Sequence, residues 1–303
     1  MKTLPIALTL VGLLSGVASA DPVDFIKDAK LFYRVVACKG ADPLPAGFDA
    51  AVVDKHCVEQ NKRYEKLTKS YFTPAAEFLA PLRPAGLPTT IVYPFGGGDL
   101  MSALVTYPDA REITTISLEH VGDPTRLAEL DRRQLRASLS LFREVVRGLL
   151  VNNDSASENM RKLEKGGIPG QLSFHLTGMA VMGYEPVSLK FFKLTDDGKV
   201  SYYSQADIDG LAKTTAKRVK GSWVDTDWSV AWDNMELQFR KAGDPKAPVI
   251  THRHFAWNLG DKAFGGSQLE KHLQSKGKIA AMTKAASYLI WLDGFSKIKD
   301  YLL

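Results

Sequence analysis

Residues 89–119 read TTIVYPFGGGDLMSALVTYPDAREITTISLE, and this stretch decides the fold class. TTIVYPF (89–95) is rich in β-branched and aromatic residues, the composition of a buried strand. Gly96-Gly97-Gly98 then turns the chain, and Asp99 stands where it can cap a helix reaching about Tyr107. REITTISL (111–118) is a second β-branched strand, ended by Glu119. Strand, glycine turn, helix and strand predict a Rossmann-like βαβ unit with parallel strands.

Working outward, residues 23–38 mix apolar and charged positions as a helix does, and 53–79 suit one or two more before the proline-rich 81–88 stops them. Downstream, Thr125 is placed to cap a long amphipathic helix to Val151, with Leu135, Leu139, Phe142 and Val146 on its apolar side. A further helix from Pro169 to about Gly183 is apolar nearly all round and is expected to be buried, with His175 inside it as a carbonyl-bonded core residue. From residue 186 the pattern changes. Asp196-Asp197-Gly198 marks a hairpin between 186–194 and 200–204, and Met235, Leu237 and Phe239 alternate with Glu236, Gln238 and Arg240 as in a half-buried strand. Gly243-Asp244-Pro245 turns that strand toward a partner at 248–257. Between the hairpins Ser204 and Asp207 open a capped helix, and helices from about Ser267 to Leu303 close the chain. The expectation is a mixed α/β protein: a βαβ unit with helices, then an antiparallel sheet section and C-terminal helices. The polar stretch NNDSASE (152–158) divides it into 21–151 and 152–303, which can also pack as one domain.

The first twenty residues set the compartment. Lys2, the apolar run Leu4 to Leu14 and the Ala18-Ser19-Ala20 site read as a secretory signal peptide, so the mature chain is expected to start near Asp21 and to be secreted or periplasmic. No cysteine stands at the cleavage point, so no lipid or membrane anchor is expected after processing. Cys38 and Cys57, the two cysteines of the 303 residues, then read as a structural disulfide. A net charge of +5, with basic residues dispersed among acids, gives nucleic-acid binding no support.

Two constellations bear on chemistry. Gly96, Gly98 and Glu119 imitate a dinucleotide or S-adenosylmethionine site, in which glycines admit the ligand and an acid takes the ribose hydroxyls. Pro94 and the carboxylate of Asp99 depart from that layout, and a scaffold turn is the simpler use. His252 and His254, at i and i+2 on a strand, project to one face and suit a divalent metal, with Glu119, His120, Asp233 or His272 as further ligands and Asp99 or Glu119 as a base. Alternating histidines are also ordinary sheet residues, and no G-x-S-x-G elbow is present.

YPFGGGDLMSALVTYPDA (93–110) with ITTISLEHVGDP (113–124), and KAASYLIWLDGFSKIKDYLL (284–303), resemble segments of a group of exported bacterial proteins that carries no assigned reaction. The resemblance implies a shared fold and export rather than an activity. Members of the group continue with an acidic motif containing glycine and proline, whereas this chain stops at Leu303. Two function classes follow: a non-catalytic binding protein for a protein or small-molecule partner, using the tryptophan-bearing face of the second sheet, or a metal-assisted hydrolase centred on His252 and His254.

Overall fold

The structure is a computed structural model, and it describes residues 21–94, 99–151, 156–211, 229–277, 279–281 and 292–301. The signal-peptide reading, the glycines Gly96 and Gly98, Trp223 and Trp228 lie outside the described residues.

The chain is mixed α/β, with helices on both sides of a curled mixed sheet. Helix α1 (Ile26–Val35) leads to α2 (Ala50–Leu67), which passes through a π-helical turn at Thr68–Phe72 into α3 (Thr73–Leu79). The βαβ unit forms as expected. β1 (Thr90–Tyr93), α4 (Asp99–Thr106) and β2 (Glu112–Ser117) follow one another, and β1 pairs with β2 in parallel.

The long helix α5 (Arg132–Val151) starts later than expected, because Thr125 opens a short 3-10 turn instead. A reciprocal pair caps α5: Gln134 N–H donates to the Asp131 side chain (2.8 Å), and Asp131 N–H donates to the Gln134 side chain (2.9 Å). α6 (Ala156–Lys165) then precedes α7 (Gly170–Val181), whose residues from Gly170 to Ala180 are all buried, as its all-round apolar sequence requires.

The second half supplies β3 (Tyr184–Leu194), β4 (Val200–Tyr202), α8 (Gln205–Leu211), β5 (Met235–Lys241) and β6 (Ile250–Ala256). The Ser204 and Asp207 cap at α8 is present in both directions, at 3.2 and 2.9 Å. At the Asp196-Asp197-Gly198 turn, Gly198 has φ +80, and a side chain there would meet the backbone of α10 (Gln268–Gln274) at 2.6 Å. The helix α9 (Asp261–Phe264) lies between β6 and α10.

Two features of the sheet depart from the sequence reading. Its parallel and antiparallel sections are one sheet, ordered β4-β3-β5-β6-β2-β1-β7. β6 is the seam, antiparallel to β5 on one side and parallel to β2 on the other. In addition, β7 (Ala280–Ala281) is a short parallel strand on β1, inside a stretch expected to be helical. Its two pairing residues carry no periodic signal, and the open edge of β1 selects them.

One hydrophobic cluster runs from Phe25 to Ile298 and draws on both sides of the 152–158 stretch. A separate small cluster of Phe72, Met101 and Val105 seats the π turn and α3 against α4. Cys38 and Cys57 are disulfide-bonded, 19 residues apart, which constrains the unfolded chain by about 3 kcal/mol on chain-entropy reasoning.

Candidate functional site

The register of β6 sorts its side chains. His252 lies opposite Ile113 and Leu237, and His254 opposite Thr115 and Met235, so both imidazoles project to one face, as their spacing predicts. There they meet α7. His175 packs its ring 4.6 Å from that of His252 and 5.1 Å from that of His254, and all three histidines are fully buried.

The hydrogen bonds fix the tautomers. His254 Nε2 lies 2.9 Å from the Glu119 carbonyl oxygen, which only accepts, so Nε2 carries the hydrogen and Nδ1 is a lone pair. That lone pair takes the Thr115 hydroxyl hydrogen at 2.9 Å, and the Thr115 oxygen in turn accepts from His252 Nε2–H at 2.8 Å. The chain His252, Thr115, His254, Glu119 carbonyl therefore runs one way and ends on a group that takes no proton. At its other end His252 keeps an unshared Nδ1, which is fully buried. His252 Nδ1 and both nitrogens of His175 have no hydrogen-bond partner, so His175 is buried as expected but not carbonyl-bonded.

Electrostatics follow burial. Desolvation draws the His254 pKa down to about 4 against the upward pull of the Glu119 carbonyl. Burial, followed by the neighbouring imidazoles, holds His175 and His252 well below the usual histidine value. The trio is neutral at physiological pH.

Ser117, at the end of β2, lies 3.5 Å from His254 Nε2, but that nitrogen carries the hydrogen given to Glu119 and is no base for the hydroxyl. Gln171 Nε2 donates to the Ser117 oxygen at 3.1 Å. Beside this group His120 pairs with the Glu164 carboxylate, a contact with no sequence signal. Gly122 (φ +91) lets the loop close on Pro169 at the start of α7, where a side chain would stand 2.3 Å from the proline ring.

Of the residues weighed for metal or catalysis, Glu119 meets His254 through its backbone carbonyl. Asp99 opens α4, and its side chain is outside the described set. His272 is on the other side of the sheet, its Nδ1 held 2.9 Å from the Gly198 carbonyl and its ring against Phe255. The third imidazole beside His252 and His254 is His175 instead, and no local spacing marks it.

Among the described residues, the one set of at least three histidine, cysteine or acidic ligand atoms gathered within 4.8 Å of one another is Cys38, His56 and Cys57. Its sulfurs are tied in the disulfide, and His56 donates from Nε2 to the Val36 carbonyl (3.0 Å) while Nδ1 accepts from Arg143 (3.0 Å). The His252 and His254 nitrogens are spread across the Thr115 hydroxyl, so ligation by His254 requires breaking one of its two bonds.

The far face of β6 carries charge. Arg253 pairs with Glu236 at 2.7 Å and with Glu112, and Tyr202 donates to Glu236 at 2.6 Å. Glu236, expected on a wet face, is only 3 % exposed because these partners let it be buried. Of the tryptophans among the described residues, Trp232 packs edge-on against Phe25 and Phe191 and Trp257 is half-buried.

An open concavity lies elsewhere. Between α2, the π turn and α5 is a groove of about 580 Å³ lined by Arg63, Tyr64, Lys66, Leu67, Ser70, Tyr71, Val146 and Arg147. Arg63 ties its two helices together, donating to the Arg143 carbonyl at 2.5 Å. The hydroxyl of Tyr64 at the groove is buried beside Gln60 and Thr177 without a well-formed hydrogen bond, and desolvation raises its pKa. Comparison of the chain with protein-family models, curated proteins and solved structures finds no match.

Proposed function

We propose that this chain is an exported, non-catalytic binding protein whose ligand site is the groove between α2 and α5. The observation that carries the reading is the groove itself: apolar walls from Leu67, Tyr71 and Val146, cations from Arg63, Lys66 and Arg147, and a volume in the range of small-molecule sites. The histidines support the same reading, since they are fully buried beneath α7, away from any open cleft. Export is supported by the Cys38–Cys57 disulfide, and among the described residues no helix is long and apolar enough to cross a membrane.

Native mass spectrometry of the mature chain released from the periplasm of an expressing bacterium tests this. A bound small-molecule mass on the wild type, lost in a Lys66→Glu/Arg147→Glu variant, is expected. A bare wild-type mass, together with hydrogen exchange in α2 and α5 that periplasmic small molecules leave unchanged, would overturn it.

A second reading, a metal-assisted hydrolase, is favoured by one observation: His175 adds a third imidazole to His252 and His254, with three ring nitrogens free of hydrogen bonds. A divalent metal would be its cofactor. Stoichiometric zinc, iron or copper in untagged protein, reduced in His175→Phe, would establish it, and metal-free protein would remove it.

A further inference from the structure

We infer that the groove takes a free single-chain amphiphile with an anionic headgroup, an inference that rests on the binding function proposed above. Two concavities meet at Tyr71. The first is the groove with Arg63, Lys66 and Arg147, which among the described residues no carboxylate lines, Glu65 lying in an adjoining shallow concavity with Lys62, Lys66 and Lys69. Beyond Tyr71 lies a smaller one of about 250 Å³, lined by Tyr71, Ala75, Phe78, Leu79, Ser102, Val105 and Thr106, with no charged side chain among the described residues. One wall residue thus divides a cationic compartment from an apolar one. A molecule that occupies both must carry negative charge at one end and hydrocarbon at the other.

The apolar end has its own mark. Phe78, which lines this concavity with Tyr71, is 68 % exposed, while Phe72 faces inward to Met101 and Val105. The π turn produces this split. Its backbone bond from Thr73 N–H to the Thr68 carbonyl adds a residue to the turn, so Tyr71 is part-exposed while Phe72 is buried. Neighbouring apolar surface at this density marks a contact site.

Isothermal titration of the mature protein with dodecanoate and dodecyltrimethylammonium, each below its micelle concentration, and with dodecanol below its solubility limit, tests the inference. Dodecanoate is expected to bind saturably, and dodecyltrimethylammonium at least roughly tenfold more weakly. Lys66→Gln/Arg147→Gln, at exposed positions where folding is unaffected, should weaken dodecanoate by about tenfold. Phe78→Ser should remove the gain in affinity from octanoate to dodecanoate while leaving octanoate unchanged. Equal binding of the cationic and anionic detergents, no change in the double variant, or binding confined to vesicles of anionic phospholipid would each overturn it. If all three probes fail while the groove-dependent adduct persists in native mass spectrometry, the amphiphile is wrong and the binding function stands. Loss of both removes both.

Discussion

The two faces of β6 bury polar groups in opposite ways. Toward α7, His252 and His254 are neutral and share a threonine hydroxyl; on the other side Arg253 is charged and held between Glu236 and Glu112. The histidines are fully buried and Arg253 and Glu112 only partly, but Glu236 on the Arg253 face is 3 % exposed, so burial alone does not choose between them. The partners do. β2 offers Thr115 on one face and Glu112 on the other, and an imidazole can discard its charge where a guanidinium cannot. A histidine pair on a strand therefore reads as a metal site only if its neighbours leave the lone pairs unspent.

The largest expected effect is in acid, and it is not confined to one face. His254 toward α7, His272 on the Arg253 side of the sheet and His56 in α2 have folded pKa values of about 4, lowered from 6.5 chiefly by burial. A lowered folded value means the unfolded chain binds protons first, so stability is full above 6.5 and is lost as pH falls toward 4. Each histidine contributes a slope of up to about 1.4 kcal/mol per pH unit in that window. Glu112, drawn down by Lys276 and Arg253 against its desolvation, contributes a loss only below its ordinary value of 4.5. Urea unfolding as a function of pH should show most of the loss before the carboxylates titrate. A flat profile between 6.5 and 5 would show that these buried histidines, on either face, are charged or open to water.

Arg253→Ala comes next. It strands Glu236, 3 % exposed, without its guanidinium, and is expected to cost about 3–5 kcal/mol in urea unfolding. A cost under about 1 kcal/mol would mean that the network acts as a surface pair.

Smaller still is a contrast within the histidine face. His254→Leu leaves the Thr115 hydroxyl and the Glu119 carbonyl short of a partner and should cost about 1–3 kcal/mol. His175→Phe removes no hydrogen bond and keeps the ring, and is expected to change stability by less than about 1 kcal/mol. Equal losses would erase the distinction between a bonded and an unbonded imidazole.

Much of this was legible in the sequence, and the boundary has a physical basis. TTIVY and REITTIS are β-branched runs that pack as buried strands, and the Asp-Gly hairpin and the Ser204 cap are local chemistry. The spacing of His252 and His254 gave their common face. What was illegible depends on partners distant along the chain. Nothing near His175 shows that α7 lies over β6, and Thr115 looks like any strand threonine. Glu236 alternates as an exposed residue does, and only Arg253 and Tyr202 permit its burial. The groove arises from a π turn, where the 3.6-residue period used to read helices fails.

The central claim, that His252 and His254 are neutral and joined through the Thr115 hydroxyl, is tested most directly by the nitrogen-15 imidazole spectrum of the protein at pH 6. Both rings should be neutral with hydrogen on Nε2, and His254 Nδ1 should show the shift of a hydrogen-bond acceptor. Imidazolium shifts for either residue, or nitrogen resonances that move when a chelator is added, would contradict it.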